Sequence, residues 1–113
     1  MTNPEAESSS TDLFILDDQN NPTPMPEDEL LEWGAWIKAA KESGRVKVAD
    51  DQIGAFRIRT HFCGCDHNWE DGPPVLFETL VTENYEGRDP YTQRYTNWSE
   101  AEEGHEQLCK DLS

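Results

Sequence analysis

A chain of 113 residues with 24 acidic and 9 basic side chains has a formal net charge of −15. This charge argues against direct binding to nucleic acid or to an anionic membrane, because both are polyanions, and favours a cationic partner, although acidity is also a common route to solubility. The length is enough to bury a core without a metal or a disulfide, no apolar run approaches the ~18 residues that cross a bilayer, and the N-terminus lacks the basic and apolar regions of a signal peptide. With an odd number of cysteines, the composition predicts a protein of the reducing cytoplasm.

The chain begins with a segment that cannot form a core. Residues 1–12 are rich in Ser, Glu and Pro, and we expect a disordered acidic tail there, followed by one domain over residues 13–113. Leu13–Leu16 is a short apolar run that predicts an edge strand, and residues 17–22 are typical of a turn. Residues 23–26 keep the backbone extended, because each proline disfavours helix in the residue before it.

An amphipathic helix is predicted after Pro26. Glu27, Asp28 and Glu29 place negative charge at the positive end of the helix dipole, and Ser43–Gly44 supplies the C-terminal stop. The expected buried stripe, in which the tryptophans serve as core anchors, consists of Leu30, Trp33, Ile37 and Ala40, widened by Leu31 and Trp36.

Three or four further strands should pair as antiparallel neighbours, of which the first is the short β-prone segment at residues 45–49. A turn is expected at residues 50–52, and residues 53–65 then alternate, with Phe56, Ile58, Thr60 and Phe62 on the core face and Arg57, Arg59, His61, Cys63 and Cys65 on the other. The remaining predicted strands are residues 75–83 and 91–96, preceded by the connections 66–74 and 84–90.

The last helix is expected at residues 98–112, capped by Asn97 or Thr96 with Glu100 as partner. His105 lies on its inward stripe with Ala101, Leu108 and Leu112. The sequence therefore predicts an α+β fold, in which a helix from the N-terminal half and a C-terminal helix pack on a small antiparallel sheet of three to five strands.

Histidines and cysteines provide one candidate metal site. His61, Cys63, Cys65 and His67 follow one another closely, and His105 and Cys109 lie one helical turn apart. The spacing is poor for structural zinc, because paired zinc cysteines usually have two to four residues between them. We expect Cys63 and Cys65 to act as small buried hydrophobes, with a zinc site as the alternative.

A second candidate is a polar centre formed by His67, Glu78 and His105. Glu78 lies within an apolar strand, and a buried carboxylate needs a partner, so we expect at least one of the two histidines to donate to it. A structural clamp is the favoured interpretation. The alternative is a two-histidine, one-carboxylate metal site in a small metal-binding protein or hydrolase.

The segments CDHNWEDGPPVLFETLV and RYTNWSEAEEGHEQL, with FILDDQNNPTPMPEDELLEWGAWI before them, resemble a widespread family of uncharacterised phage and prophage proteins. Aliphatic residues are usual in that family where this chain has His61, Cys63 and Cys65. The matching residues are Asp66, His67, Gly72, Pro73, Pro74, Phe77, Glu78, Thr79, Trp98, Ala101, Gly104 and His105. The resemblance implies a viral or mobile-element origin and a location in the host cytoplasm, without an established activity.

The connection after the second long strand is polar, and polar loops often carry function. Its candidate residues are Asp66, Trp69, Gly72, Pro73 and Pro74. Taken together, the charge and the resemblance favour a non-enzymatic accessory protein that binds a host or phage protein through an acidic surface, with a role against host defence or as a mimic of DNA, and without a cofactor.

Overall fold

The computed structural model describes residues 12–66, 72–83 and 91–113. They form an α+β fold with a two-stranded sheet, a four-stranded sheet and two α-helices, which confirms the predicted class. The elements in chain order are β1 (Leu13–Leu16), β2 (Pro22–Met25), a 3₁₀ turn (Glu27–Glu29), α1 (Leu30–Ser43), β3 (Lys47–Ile53), β4 (Phe56–Phe62), β5 (Phe77–Glu83), β6 (Tyr91–Tyr95) and α2 (Trp98–Leu112).

The larger sheet is antiparallel throughout, in the order β3-β4-β5-β6. The predicted alternation along β4 is confirmed, since Ile58, Thr60 and Phe62 are buried while Arg59 between them is exposed. The register places Thr60 opposite Thr79 and Phe62 opposite Phe77, so β5 continues the same buried face. We call this side the helix face and the opposite side the open face.

An aromatic chain across the helix face joins both helices to the sheet. Trp36 of α1 meets Phe62 edge-on at a centroid distance of 6.1 Å, Phe62 lies 5.3 Å from Phe77, and Phe77 meets Trp98 of α2 at 6.0 Å. Such tilted and edge-to-face contacts are favourable beyond the area that they bury. They place both helices on one side of the sheet, as the sequence predicted.

The β1–β2 hairpin was only half predicted. Residue 22 was expected to end a turn and residues 23–26 to be extended, without a pairing partner named for them, whereas residues 22–25 pair with β1 over four residues. The turn between the strands is stabilised by the carboxylate of Asp17, which accepts hydrogen bonds from the backbone N–H groups of Gln19 and Asn21. Pro22 and Pro24 fit because the hairpin forms a separate two-stranded sheet, in which prolines occupy edge positions.

Two predicted strand limits are wrong. Residues 50–52 belong to β3 rather than to a turn, and the turn follows at Gly54, whose φ is 60°. The strand predicted to reach Cys65 ends at Phe62, because Gly64, with a φ of 80°, bends the chain. Cys65 then forms an isolated bridge with Leu13 of β1 instead of continuing β4.

Helix α1 ends as predicted, with Gly44 in the left-handed conformation at a φ of 79°. Its buried stripe is narrower than predicted. Ile37 and Ala40 are buried, but Leu30 is 54 % exposed and Leu31 is 89 % exposed. The first turn of the helix is not buried, because the helix contacts the core only from Trp33 onwards. The indole N–H of Trp33 donates to the carbonyl of Phe14 at 3.0 Å.

Helix α2 has the predicted bounds and the predicted cap. The side chain of Asn97 accepts from the backbone N–H of Glu100 at 2.8 Å, and the Glu100 carboxylate accepts from the backbone N–H of Thr96 at 3.0 Å. This reciprocal arrangement satisfies two donors at the helix start. Within the described parts of the chain, neither helix has the length and apolar composition needed to cross a bilayer.

Candidate functional site

His105 occupies the centre of the helix face. Its side chain is 3 % exposed, as expected from its place on the inward stripe of α2, and both ring nitrogens have partners. Nδ1 lies 2.7 Å from Oγ1 of Thr60 on β4, and Nε2 lies 2.7 Å from Oδ2 of Asp51 on β3. The ring therefore ties α2 to two strands of the sheet.

A chain of hydroxyl groups extends from the histidine across the sheet. Thr60 is hydrogen-bonded to Thr79 of β5, and Thr79 is hydrogen-bonded at 2.9 Å to the hydroxyl of Tyr95 on β6. Among the described residues, no buried side-chain nitrogen or oxygen lacks a hydrogen-bond partner. The resulting network joins α2 to all four strands of the larger sheet, and we call it the His105 network.

The backbone of α2 approaches the end of this network closely. A Cβ atom placed on Gly104 would lie 2.3 Å from the ring of Tyr95, so only glycine allows the helix this close. Thr79 and Gly104 thus both lie against Tyr95.

The order carboxylate, imidazole, hydroxyl in Asp51, His105 and Thr60 is that of a nucleophilic triad. Burial opposes this function. Thr60 is 1 % exposed and its hydroxyl also contacts Thr79, so no substrate carbonyl can approach the oxygen without opening the sheet. The geometry is that of a structural polar network.

Glu78 does not belong to this network, so the predicted pairing with His105 is wrong. Thr79 faces the helices, and Glu78, one residue earlier on the strand, must face the opposite side. There it forms an ion pair with Arg94 at 3.2 Å, and its side chain is 21 % exposed. The metal site proposed for His67, Glu78 and His105 is therefore excluded as a set, and the pairing of His67 with Glu78 lies outside the described residues.

Cysteines 63, 65 and 109 are all free thiols. Burial, with a smaller contribution from Glu78, raises the pKa of Cys63 to about 12, so this thiol stays protonated at neutral pH. Burial also raises the pKa of Cys65. Among the described residues, Cys63 is grouped with His61 and Glu78 on the open face and not with Cys65, and His67, the other residue of the predicted zinc site, lies outside the described residues.

The predicted functional loop is described only at its two ends. The carboxylate of Asp66 accepts a hydrogen bond at 2.8 Å from the backbone N–H of Val75, which ties the ends together. Gly72 and Pro73 are exposed and Pro74 is half-buried, whereas Trp69 and His67 lie outside the described residues. Asp66 therefore has a structural contact at the loop entrance.

Charge is distributed unequally between the two sides of the sheet. The segments 27–43 and 98–112, which contain both helices, have ten acidic and three basic residues. We call the outer surface of these two segments the acidic helix side. Register places four basic and two acidic residues on the open face. These are Lys47, Arg57, Arg59 and Arg94, with Asp50 and Glu78. Two of the arginines are paired there, Arg57 with Asp50 at 2.9 Å and Arg94 with Glu78.

Sequence reasoning missed Asp51 and Thr60 as partners of His105, and it missed Tyr95 as the partner of Thr79. Thr60 had been placed correctly on the core face, which was a usable signal, because a buried hydroxyl needs a partner. Asp51 gave no such signal, since it had been assigned to a turn.

Comparisons with protein-family models, with curated proteins and with solved structures found no match for this chain. A proposal about function therefore depends on the surface and the interior just described.

Proposed function

We propose that this is a non-enzymatic accessory protein that binds a basic surface of another protein, of host or phage origin, through its acidic helix side. The observation that carries the proposal is the unequal charge distribution. Acidic residues outnumber basic residues by ten to three in the two helical segments, while the open face has an excess of basic residues. A purely solubilising charge has no need of such a distribution.

The start of α1 supplies an apolar contact within this acidic surface. Leu30 and Leu31 are exposed, and they follow three acidic residues and precede Glu32. An apolar centre with a charged rim is the usual composition of a protein interface. We infer that the two leucines contact the partner while the surrounding carboxylates select for its positive charge.

A buried polar network also supports a binding role over catalysis. The hydroxyl that contacts the His105 ring belongs to Thr60, which is buried beneath the helix and out of reach of a substrate. In the DNA-mimic form of the proposal, the partner is a protein that handles nucleic acid. The acidic helices then bind where the phosphate backbone of that nucleic acid would otherwise bind.

The test compares two variants with equal net charge. One carries Glu102→Gln, Glu103→Gln and Glu106→Gln on α2, and the control carries Asp12→Asn, Asp18→Asn and Glu83→Gln outside the helices. All six side chains are exposed. The chains are immobilised, exposed to bacterial lysate, and washed with rising salt before the bound proteins are quantified by mass spectrometry.

We expect the wild type and the control to retain the same basic protein, and the α2 variant to lose it at lower salt. Leu31→Ser should weaken retention without changing the charge. Release of the partner by added double-stranded DNA would support the DNA-mimic form. Equal retention by both triple variants would refute a role for the acidic helix side.

A further inference from the structure

Asp51, His105 and Cys109 converge at the edge where α2 crosses β3. One carboxylate oxygen, Oδ2 of Asp51, lies 2.7 Å from Nε2 of His105 and 3.9 Å from Sγ of Cys109. His105 and Cys109 are four residues apart on α2 and therefore project from the same helix face. The potential ligand atoms of all three residues lie within 4.8 Å of one another.

We propose that Asp51, His105 and Cys109 form a binding site for a divalent transition metal, with zinc as the best fit. Imidazole nitrogen, thiolate sulfur and carboxylate oxygen are the three ligand types that zinc takes in proteins, and three protein ligands leave a fourth position for water or a partner's side chain. The site is independent of the proposed binding function.

Two of the three separations, from the Asp51 oxygen to the His105 nitrogen and to the Cys109 sulfur, lie close to those that a bound zinc ion requires. A tetrahedral zinc ion with bonds of about 2.0 Å to nitrogen and oxygen and about 2.3 Å to sulfur separates nitrogen from oxygen by about 3.3 Å and sulfur from oxygen by about 3.5 Å. The carboxylate must move outwards from the histidine by about half an ångström and closer to the sulfur by a similar amount. The Asp51 side chain is 53 % exposed, so it can make this movement without disturbing the core.

The His105 network supplies the contact that orients a metal-binding histidine. Metal-ligating imidazoles usually donate their second N–H to an oxygen, which fixes the tautomer and the ring. Here the Nδ1–H group can donate to Oγ1 of Thr60, the Thr60 hydroxyl can donate to Thr79, and the Thr79 hydroxyl can donate to Tyr95. The buried hydroxyl chain thus accommodates the tautomer that leaves Nε2 available.

Negative charge around the sulfur also favours a cation. Burial, Asp51 and Glu106 raise the pKa of the Cys109 thiol, since each disfavours the thiolate anion. The two carboxylates that oppose a free thiolate would attract a metal ion that binds it. Metal binding replaces the thiol proton, which leaves to solvent, by a bond between sulfur and metal.

A second trio of the same residue types provides an internal control. His61, Cys63 and Glu78 also have their potential ligand atoms within 4.8 Å of one another, on the open face. There the carboxylate is engaged by Arg94 and the thiol is more deeply buried, so a metal would have to displace a cation and reach a less accessible sulfur.

The experiment titrates the full chain, kept reduced, with Zn²⁺ in competition with a chromophoric chelator, and records the visible spectrum with Co²⁺. We expect one metal per chain, a tetrahedral cobalt spectrum with a thiolate charge-transfer band, and a loss of affinity of about tenfold or more in Asp51→Asn and in Cys109→Ser. Both substitutions are near-isosteric, Asp51 is exposed and Cys109 is half-buried, and circular dichroism verifies the fold. Cys63→Ser should bind zinc like the wild type.

Three results would overturn the proposal. The first is that the wild-type chain takes up no zinc from micromolar free Zn²⁺. The second is that Asp51→Asn and Cys109→Ser both retain full affinity. The third is that Cys63→Ser alone abolishes binding, which would place the metal in the trio on the open face.

Discussion

The hydroxyl of Thr79 is the most sensitive point of the His105 network. The side chain is completely buried and contacts Thr60 on one side and Tyr95 on the other. Thr79→Val keeps the shape and the β-branched backbone preference but removes both contacts. Since it leaves two buried hydroxyl groups short of a partner, we expect a loss of about 1–3 kcal/mol in the free energy of unfolding.

Thr82→Val is the matched control, because Thr82 lies on the same strand but on the open face and is partly exposed. Its stability should stay within about 0.5 kcal/mol of the wild type. Urea unfolding followed by circular dichroism measures both. The double variant Thr60→Val with Thr79→Val should lose less than the sum of the single losses, because each substitution removes the partner that the other leaves unpaired. Equal stability of Thr79→Val and Thr82→Val would show that the buried hydroxyl chain contributes nothing.

Substitutions at four further positions test other parts of the fold. Gly104→Ala should destabilise by about 1–3 kcal/mol, because its Cβ would overlap the Tyr95 ring, whereas Gly34→Ala in α1, where a Cβ meets nothing within 4 Å, should stabilise by about 0.5–1 kcal/mol in thermal unfolding. The free energies of unfolding of Glu78→Ala and Glu78→Gln should both stay within about 1 kcal/mol of the wild type, because an exposed ion pair with Arg94 contributes little. A larger loss for alanine alone would indicate that Glu78 has a buried hydrogen-bond partner after all. Hydrogen bonds from the Thr96 side chain and backbone hold the pKa of Glu100 below its ordinary value of 4.5, so the stability that they contribute is complete above that pH and is lost as the pH falls through the lower folded-state pKa. Glu100→Gln should therefore reduce the slope of stability against pH in the acid range, as measured by urea unfolding, and an unchanged slope would contradict the assignment.

Local signals predicted some elements well and failed where pairing between distant segments decided the outcome. Helix α2 was predicted with its bounds, because Asn97 and Glu100 identify its start by contacts within one turn. The alternation of β4 likewise follows from its own residues. Strand β1 was predicted but its pairing with β2 was not, because the two prolines of β2 argue against a strand unless it forms a separate small sheet.

The part of the candidate site that depends on local sequence was predicted, and the part that depends on pairing between distant segments was not. Helical periodicity is a local property, and it correctly placed His105 inwards. Its partner Asp51 is 54 residues away in sequence, and the sharing of one face by the two depends on the register of β3 against β4. Glu78 was assigned to the wrong side because the apolar residues around it suggested burial, whereas the alternation of β5 places it one residue out of phase with Thr79.

The position of α2 on the sheet determines both the proposed zinc site and the proposed binding surface. Gly104 allows contact with Tyr95, and His105 reaches Thr60 and Asp51, so the helix is held at three points and cannot rotate without breaking a buried contact. This orientation brings Cys109, one turn further along, to Asp51. It also directs Glu102, Glu103 and Glu106 towards solvent. A substitution that loosens the His105 network should therefore weaken zinc affinity and partner binding together, whereas Cys109→Ser should affect zinc alone.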